Sequence, residues 1–153
     1  MANIYHQVLI QADQKTVFNA VTTQEGLAMW WIQDCTVKQE VGFVNTFRVA
    51  GYGTNQMEVI ELQPYTFAAW RCLNQDDPWT DTHITFAIST KGDFTCLDFK
   101  HIGYAAEDEV YATCNYHWAR HLAILKEYCE TGFSSLNQTQ ELKEVNAVHK
   151  GKV

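Results

Sequence analysis

Three side chains that commonly bind metal ions, Cys114, His117 and His121, lie close together in the sequence. If this segment is helical, they project within about 60° of one another, as ligands of one tetrahedral ion would. His101 would have to supply a fourth ligand from another element. The alternative is that Cys114 packs in the core, His117 lies at its edge and His121 makes a core hydrogen bond. We favour this alternative, so we predict neither a metal site nor a cofactor.

The histidines could also serve acid–base chemistry, which their side chains perform near neutral pH. His101 and His121 could share a pocket, with Glu61, Arg71 or Asp98 nearby. However, no nucleophile, base and orienting carboxylate occur at a spacing that defines a catalytic set, and we predict no catalytic residue. A phosphate-binding loop is excluded because the Gly-x-x-x-x-Gly-Lys pattern occurs nowhere in the sequence.

Aromatic side chains are unusually frequent: the chain holds five Trp, seven Tyr and eight Phe, which make up 13% of its residues. Their placement indicates the walls of a ligand pocket, although such rings can also simply fill a core. For Trp30 and Trp31, one ring could pack inside while the other lies at the pocket mouth or contacts a partner, or both could be buried. The candidate pocket residues are Trp30, Trp31, Trp70, Phe86, Leu97, Phe99, His101, Tyr111, Cys114, Trp118, His121, Leu122 and Leu125.

Composition and charge limit the class of protein. A chain of 153 residues with 46% hydrophobic residues is predicted to fold as one domain. Its net charge of -7, from 11 Lys and Arg against 18 Asp and Glu, argues against a nucleic-acid partner. The sequence has no apolar run long enough for a membrane span and no signal-peptide pattern. Its five cysteines are odd in number and widely spaced, which predicts reduced thiols and a cytoplasmic location.

The first two thirds of the chain are predicted to form a strand, two short helices and a series of strands. Residues 4–11 indicate the first strand, Asp13 can cap a first helix, and Thr22 with Glu25 can form a capping box for a second. Apolar residues then alternate with polar ones in residues 84–89 and 95–101, on either side of a turn at Gly92. This period of two predicts a β-hairpin, and the short connections predict an antiparallel sheet.

From residue 107 to residue 130 the hydrophobic period changes to 3.6, which predicts one long helix. Acidic residues at 107–109 suit its N-terminus, and Gly132 can adopt the left-handed conformation that ends it. Residues 134–153 are polar and are predicted to be a tail, which leaves residues 1–133 as the single domain. The apolar face of the helix consists of Val110, Tyr111, Cys114, Trp118, His121, Leu122, Leu125, Tyr128 and Cys129.

This order of elements predicts an α+β fold in which a curved antiparallel sheet of six to seven strands grips the long C-terminal helix, with two short helices after the first strand. The space between the sheet and the helix would then be a pocket, lined by alternate strand residues and by one helix face.

The pattern resembles the SRPBCC superfamily, which has the START-like or helix-grip fold, also called Bet v 1-like, and in particular its branch named after the activator of heat-shock protein 90 ATPase. The resemblance covers residues 4–133. Two departures are a reduced glycine-rich hairpin at residues 41–43 and His117 in a position that is often glycine in relatives. The residues that carry it are those at 17–22, Leu27, Trp30, Trp31, Glu61, Pro64, Phe67, Trp70, Trp79, Thr82, Ile84, Phe86, Thr95, Leu97, Phe99, His101, Gly103, Trp118, Leu122, Leu125, Tyr128, Glu130 and Gly132.

The resemblance implies a cavity for an apolar or amphipathic small molecule and no common set of catalytic residues. We therefore predict binding of a lipid-like ligand without established catalysis. The branch's name suggests a chaperone partner as the alternative, and an enzyme of the polyketide cyclase type is a second alternative. A homodimer also remains open at this stage.

Overall fold

The computed structural model describes residues 1–136, which form seven strands and three helices. The predicted tail lies outside the described residues from residue 137 onward. None of the described helices is both long and apolar enough to cross a lipid bilayer. The elements in chain order are β1 (Ala2–Ile10), α1 (Gln14–Thr22), α2 (Gln24–Trp30), β2 (Cys35–Thr36), β3 (Val44–Val49), β4 (Gly53–Gln63), β5 (Phe67–Cys72), β6 (His83–Lys91), β7 (Phe94–Tyr104) and α3 (Glu109–Thr131).

All seven strands belong to one antiparallel sheet with the order β1-β7-β6-β5-β4-β3-β2. The predicted hairpin is confirmed: Ile84 pairs with His101 and Lys91 pairs with Phe94 across the turn at Gly92, whose φ is +62°. Alternate residues of both strands, such as Phe86 and Phe99, are buried on the concave face. The α+β architecture predicted from the sequence is therefore confirmed, with seven strands.

The two short helices share one residue at their junction. Asp13 caps α1 as predicted, since its side chain accepts a hydrogen bond from the Thr16 amide. The predicted capping box between Thr22 and Glu25 is wrong. Thr22 is the last residue of α1 and donates its hydroxyl to the Phe18 carbonyl at 2.6 Å, whereas Thr23 caps α2. Because α1 continues one residue further than the pattern suggests, the capping role passes to the next threonine.

The long helix α3 lies along the free edge of β1 and hydrogen-bonds to it near both ends. Tyr111 Oη donates to the Asn3 carbonyl at 2.9 Å, and Lys126 Nζ donates to the Leu9 carbonyl. The Gln11 amide in turn donates to Glu130 Oε2 at 2.8 Å. A helix that covers a sheet edge blocks pairing with another strand. The opposite edge strand, β2, has only two residues.

The ends of α3 largely follow the sequence prediction. Its N-terminus is capped by Asp108, whose side chain accepts a hydrogen bond from the Tyr111 amide, so the helix begins two residues later than predicted. Gly132 ends the helix at φ 80°, as its lack of a Cβ favours. Buried side chains from this helix, including Trp118, Leu122 and Leu125, face the concave side of the sheet.

Candidate functional site

A group of eight aromatic rings fills the interior between the sheet and α3, and we call it the aromatic cluster. Trp31, at the end of α2, lies at its centre and stacks on Trp118 at 5.1 Å and on Trp70 at 6.2 Å between ring centroids. Both Trp30 and Trp31 are buried, so neither ring lies exposed at a pocket mouth. The members of the cluster are Trp30, Trp31, Phe47, Trp70, Trp79, Phe86, Phe99 and Trp118.

Most of the candidate pocket residues meet in this interior. Trp30, Trp31, Trp70, Phe86, Phe99 and Trp118 belong to the aromatic cluster, and Leu97, Leu122 and Leu125 are buried in the same core. His101, Cys114 and His121 are buried as well. Tyr111 differs from the others because it is half-buried, and its ring packs edge-on against Tyr104 with centroids 5.4 Å apart.

His101 is the centre of a group of buried polar side chains. Its Nε2 lies 2.8 Å from Thr82 Oγ1, while its Nδ1 lies 3.1 Å from Trp118 Nε1 and 3.0 Å from Tyr104 Oη. An indole nitrogen only donates, so Nδ1 must be the acceptor and the proton must be on Nε2. The Thr82 hydroxyl in turn donates a hydrogen bond to the Trp79 carbonyl at 2.7 Å.

Burial keeps these polar groups uncharged. It lowers the pKa of His101 to about 3, so that the imidazole is neutral at physiological pH. Burial also raises the pKa of the Tyr104 hydroxyl and of the Cys114 thiol. Because both ring nitrogens of His101 are already bonded to side chains of the protein, this histidine is not poised to act as a general base near neutral pH.

Trp79 adds an unpaired donor to the same region. Its side chain is 9% exposed, and its Nε1 has no hydrogen-bond partner within residues 1–136. The indole packs edge-on against His101 with ring centroids 4.7 Å apart. It is also near Cys114 and Tyr104, since it opposes the upward pKa shift that burial gives to each. We call Trp79, Thr82, His101, Tyr104, Cys114 and Trp118 the polar cluster.

Sequence reasoning did not place Phe47, Trp79, Thr82 or Tyr104 at this site. Trp79 and Thr82 lie in the irregular segment between β5 and β6, where no period indicates which side chains point inward. Tyr104 is the last residue of β7, beyond the alternating run that predicted the strand. Trp79 and Thr82 occur among the residues that carry the family resemblance, which assigns neither of them a role.

The predicted metal ligands have separate partners. His121 Nδ1 contacts the His117 carbonyl at 2.7 Å, which confirms the predicted core hydrogen bond, and Cys114 packs in the core. His117 in the middle of α3 is buried, not at the edge as expected. Within the described part of the chain, no group of three or more His, Cys, Asp or Glu side chains is placed to hold a metal ion.

An open groove of about 580 Å³ lies elsewhere, between α1, α2 and the C-terminal end of α3. None of the candidate pocket residues lines it. Its lining is mostly polar, and it contains none of the aromatic rings of the interior cluster, so we regard the interior as the candidate site. The groove is lined by Thr16, Asn19, Ala20, Thr23, Glu25, Gly26, Gln39, Tyr128, Cys129 and Gly132.

A seven-stranded curved sheet that holds a long C-terminal helix across an aromatic interior defines the helix-grip class of the SRPBCC superfamily. Residues 11–130 match the family model described as activator of Hsp90 ATPase homolog 1-like protein, and the chain belongs to this family. No match was found among curated proteins.

Solved structures agree with this assignment. The chain is 32% identical to Aha1 from Colwellia psychrerythraea, solved in solution as a dimer, with a TM-score of 0.78 over 86% of this chain and 98% of that one. A protein from Staphylococcus saprophyticus is 18% identical, with a TM-score of 0.73 over 88% of this chain and 96% of its own. CalU16 from Micromonospora echinospora is 17% identical, with a TM-score of 0.67 over 97% and 86% of the two chains. The last two share the fold alone.

Proposed function

We propose that this protein binds an apolar or amphipathic small molecule between the concave face of the sheet and α3. The observation that carries the proposal is the polar cluster inside the aromatic interior. Burying polar groups is unfavourable unless they are well paired, and a core that serves stability alone does not need six of them in one place. Ligand recognition would explain these buried polar groups, because binding sites combine apolar walls with a few oriented polar groups.

Trp31 must move for a ligand to enter. Its ring lies between the sheet and α3 and contacts Phe47 with centroids 4.5 Å apart. It follows the seven-residue helix α2 and begins an irregular connection, so its backbone is not held within a long element. A planar ligand could take the place of this indole and keep the stacking with Trp70 and Trp118. The candidate pocket residues are the proposed ligand contacts.

Titration with the neutral fluorescent dye Nile red, followed by native mass spectrometry, tests the proposal. We expect saturable binding at one site per chain. Leu122→Arg puts a charge into the interior and should weaken binding by at least about tenfold, whereas Tyr116→Arg, on the exposed side of the same helix, should not. Thermal unfolding of each variant shows whether it is folded. Absence of saturable binding to the folded wild type would contradict the proposal.

Trp31→Ala provides a second variant in case Leu122→Arg does not fold. Removing the central indole should cost about 3–5 kcal/mol of stability and leave a cavity in the aromatic cluster. Larger ligands should then bind more tightly than they bind to the wild type. Unchanged binding of a ligand series of increasing size would argue against the interior site.

The second candidate function is action on a chaperone, favoured by the 32% identity to a structure named Aha1. Purified heat-shock protein 90 is the appropriate partner for a test. If this candidate is correct, adding the protein should raise the ATPase rate of heat-shock protein 90 in proportion to the amount of complex that the two proteins form. An unchanged ATPase rate and no detectable complex at micromolar concentrations would reject it.

Two further properties belong to the proposal. The same Colwellia structure is a dimer, and we propose that this chain also forms a homodimer, which sedimentation equilibrium would detect as twice the monomer mass.

All five cysteines are free, and four of them are buried. Reduced thiols of this kind fit a cytoplasmic location.

A further inference from the structure

The polar cluster contains two hydrogen-bond donors, Tyr104 Oη and Trp79 Nε1, that have no acceptor to themselves. His101 Nδ1 has one lone pair, and two donors approach it: Trp118 Nε1 at 3.1 Å and Tyr104 Oη at 3.0 Å. Because the indole nitrogen of Trp118 can only donate, it occupies this lone pair. The Tyr104 hydroxyl must therefore share the same acceptor with Trp118.

Trp79 supplies the donor that lacks any acceptor. The residue is nine-tenths buried, and its Nε1 has no hydrogen-bond partner within the described residues. Thr82 Oγ1 accepts the hydrogen bond of His101 Nε2, and the Tyr104 oxygen lies near Trp79 but outside hydrogen-bond geometry with its Nε1. The Cys114 sulfur nearby accepts hydrogen bonds only weakly. An unmade hydrogen bond of this kind costs about 1–3 kcal/mol, which an incoming acceptor would recover.

The charges around the polar cluster indicate that an acceptor supplied by a ligand should be neutral. Across residues 1–136, no buried side chain is Lys, Arg, Asp or Glu. The carboxylate of Asp77 is half-buried and close enough to Cys114 to act on it electrostatically. An anionic ligand group would thus be buried without a cation and near a negative charge, which is strongly unfavourable.

We propose that the polar cluster binds a neutral carbonyl oxygen of the ligand, with Trp79 Nε1 and Tyr104 Oη as the two donors. A carbonyl oxygen has two lone pairs, can accept both hydrogen bonds and carries no net charge. This inference rests on the proposed function and specifies its ligand class: aromatic or apolar ketones, aldehydes, esters and amides, and not free carboxylic acids.

A series of three matched probes tests the inference by isothermal titration calorimetry. Acetylnaphthalene carries the carbonyl, isopropylnaphthalene has nearly the same shape without it, and naphthoate carries a carboxylate. Acetylnaphthalene should bind about tenfold more tightly than isopropylnaphthalene, and naphthoate should bind most weakly. If none of the three binds although Nile red does, the carbonyl inference is overturned; if Nile red also fails to bind, the proposed function itself fails. If acetylnaphthalene and isopropylnaphthalene bind equally, only the carbonyl inference is overturned.

Trp79→Phe assigns the preference to its donor. This variant keeps an aromatic ring but removes the N–H, and it should reduce the advantage of acetylnaphthalene over isopropylnaphthalene to about twofold or less. Tyr104→Phe should have the same direction of effect. Tyr116→Phe is the matched control for Tyr104→Phe, because it removes a hydroxyl from an exposed position of α3, and it should leave the ratio unchanged. A ratio that stays near tenfold in folded Trp79→Phe and Tyr104→Phe would overturn the assignment.

Discussion

At the scale of single residues, His101 is held by three other side chains of the polar cluster. It is fully buried, and its two ring nitrogens contact Thr82 in the connection between β5 and β6, Tyr104 at the end of β7 and Trp118 in α3. Its neutral form is required, because a proton on Nδ1 would face the indole N–H of Trp118. The histidine therefore orders the polar cluster, and does so only while it is unprotonated.

This requirement predicts a dependence of stability on pH. In the unfolded chain His101 takes up a proton near pH 6.5, whereas burial lowers the pKa of the folded state to about 3. Between these values the unfolded state binds more protons, so the free energy of unfolding should fall as pH decreases, by up to about 1.4 kcal/mol per pH unit. His101→Gln, which does not titrate, should lose this part of the slope in urea denaturation between pH 6.5 and 4.5.

The carboxylates of Asp13, Asp98 and Glu130 also have lowered pKa values, and their stabilisation is lost at more acidic pH. The comparison of the variant with the wild type cancels their contribution. His83→Gln, at the half-buried start of β6, is the matched control. Identical slopes for the wild type and folded His101→Gln would contradict the buried neutral histidine.

At the scale of elements, the close approach of α1 and α2 depends on a glycine. A Cβ on Gly26 would lie 2.6 Å from the Ala20 backbone carbonyl oxygen and from its Cα, which is too close for any real contact. Trp30 strengthens this junction, since its Nε1 donates to the same carbonyl at 2.8 Å. The position of Trp31 between the sheet and α3 therefore depends on how tightly these two helices pack.

We predict that Gly26→Ala destabilises the protein, although alanine normally favours a helix by about 1 kcal/mol over glycine. The helices must separate to admit the methyl group, and such overpacking costs about 1–3 kcal/mol. Chemical denaturation measures the change. Glu25→Ala, at the neighbouring exposed position, should change stability by less than about 0.5 kcal/mol. A Gly26→Ala variant as stable as the wild type would show that the helices are packed less closely.

Some of these elements could be predicted from the sequence, and others could not. Periods of two and 3.6 predicted the hairpin around Gly92 and the long helix, because each follows directly from which side chains must be buried. The choice between Thr22 and Thr23 as a cap could not be predicted, since the two neighbours have the same side chain and differ only in where α1 ends. Trp79 lies in an irregular connection, where the direction of a side chain depends on the whole fold.

At the scale of the whole molecule, α3 has two roles that follow from its length. It covers the edge of β1, and it presents Trp118 and Leu122 to the concave face. The family membership and the fold are shared with many proteins, but a fold does not by itself define a ligand. The proposed function therefore depends on whether the interior binds a ligand.

The most direct test is the location of a bound ligand in solution. Nuclear magnetic resonance on isotope-labelled protein with acetylnaphthalene would give intermolecular contacts to assigned side chains. We predict contacts to Trp31, Trp118 and Leu122 in the interior. Contacts confined to Ala20 and Cys129, which line the open groove outside, would contradict the interior site.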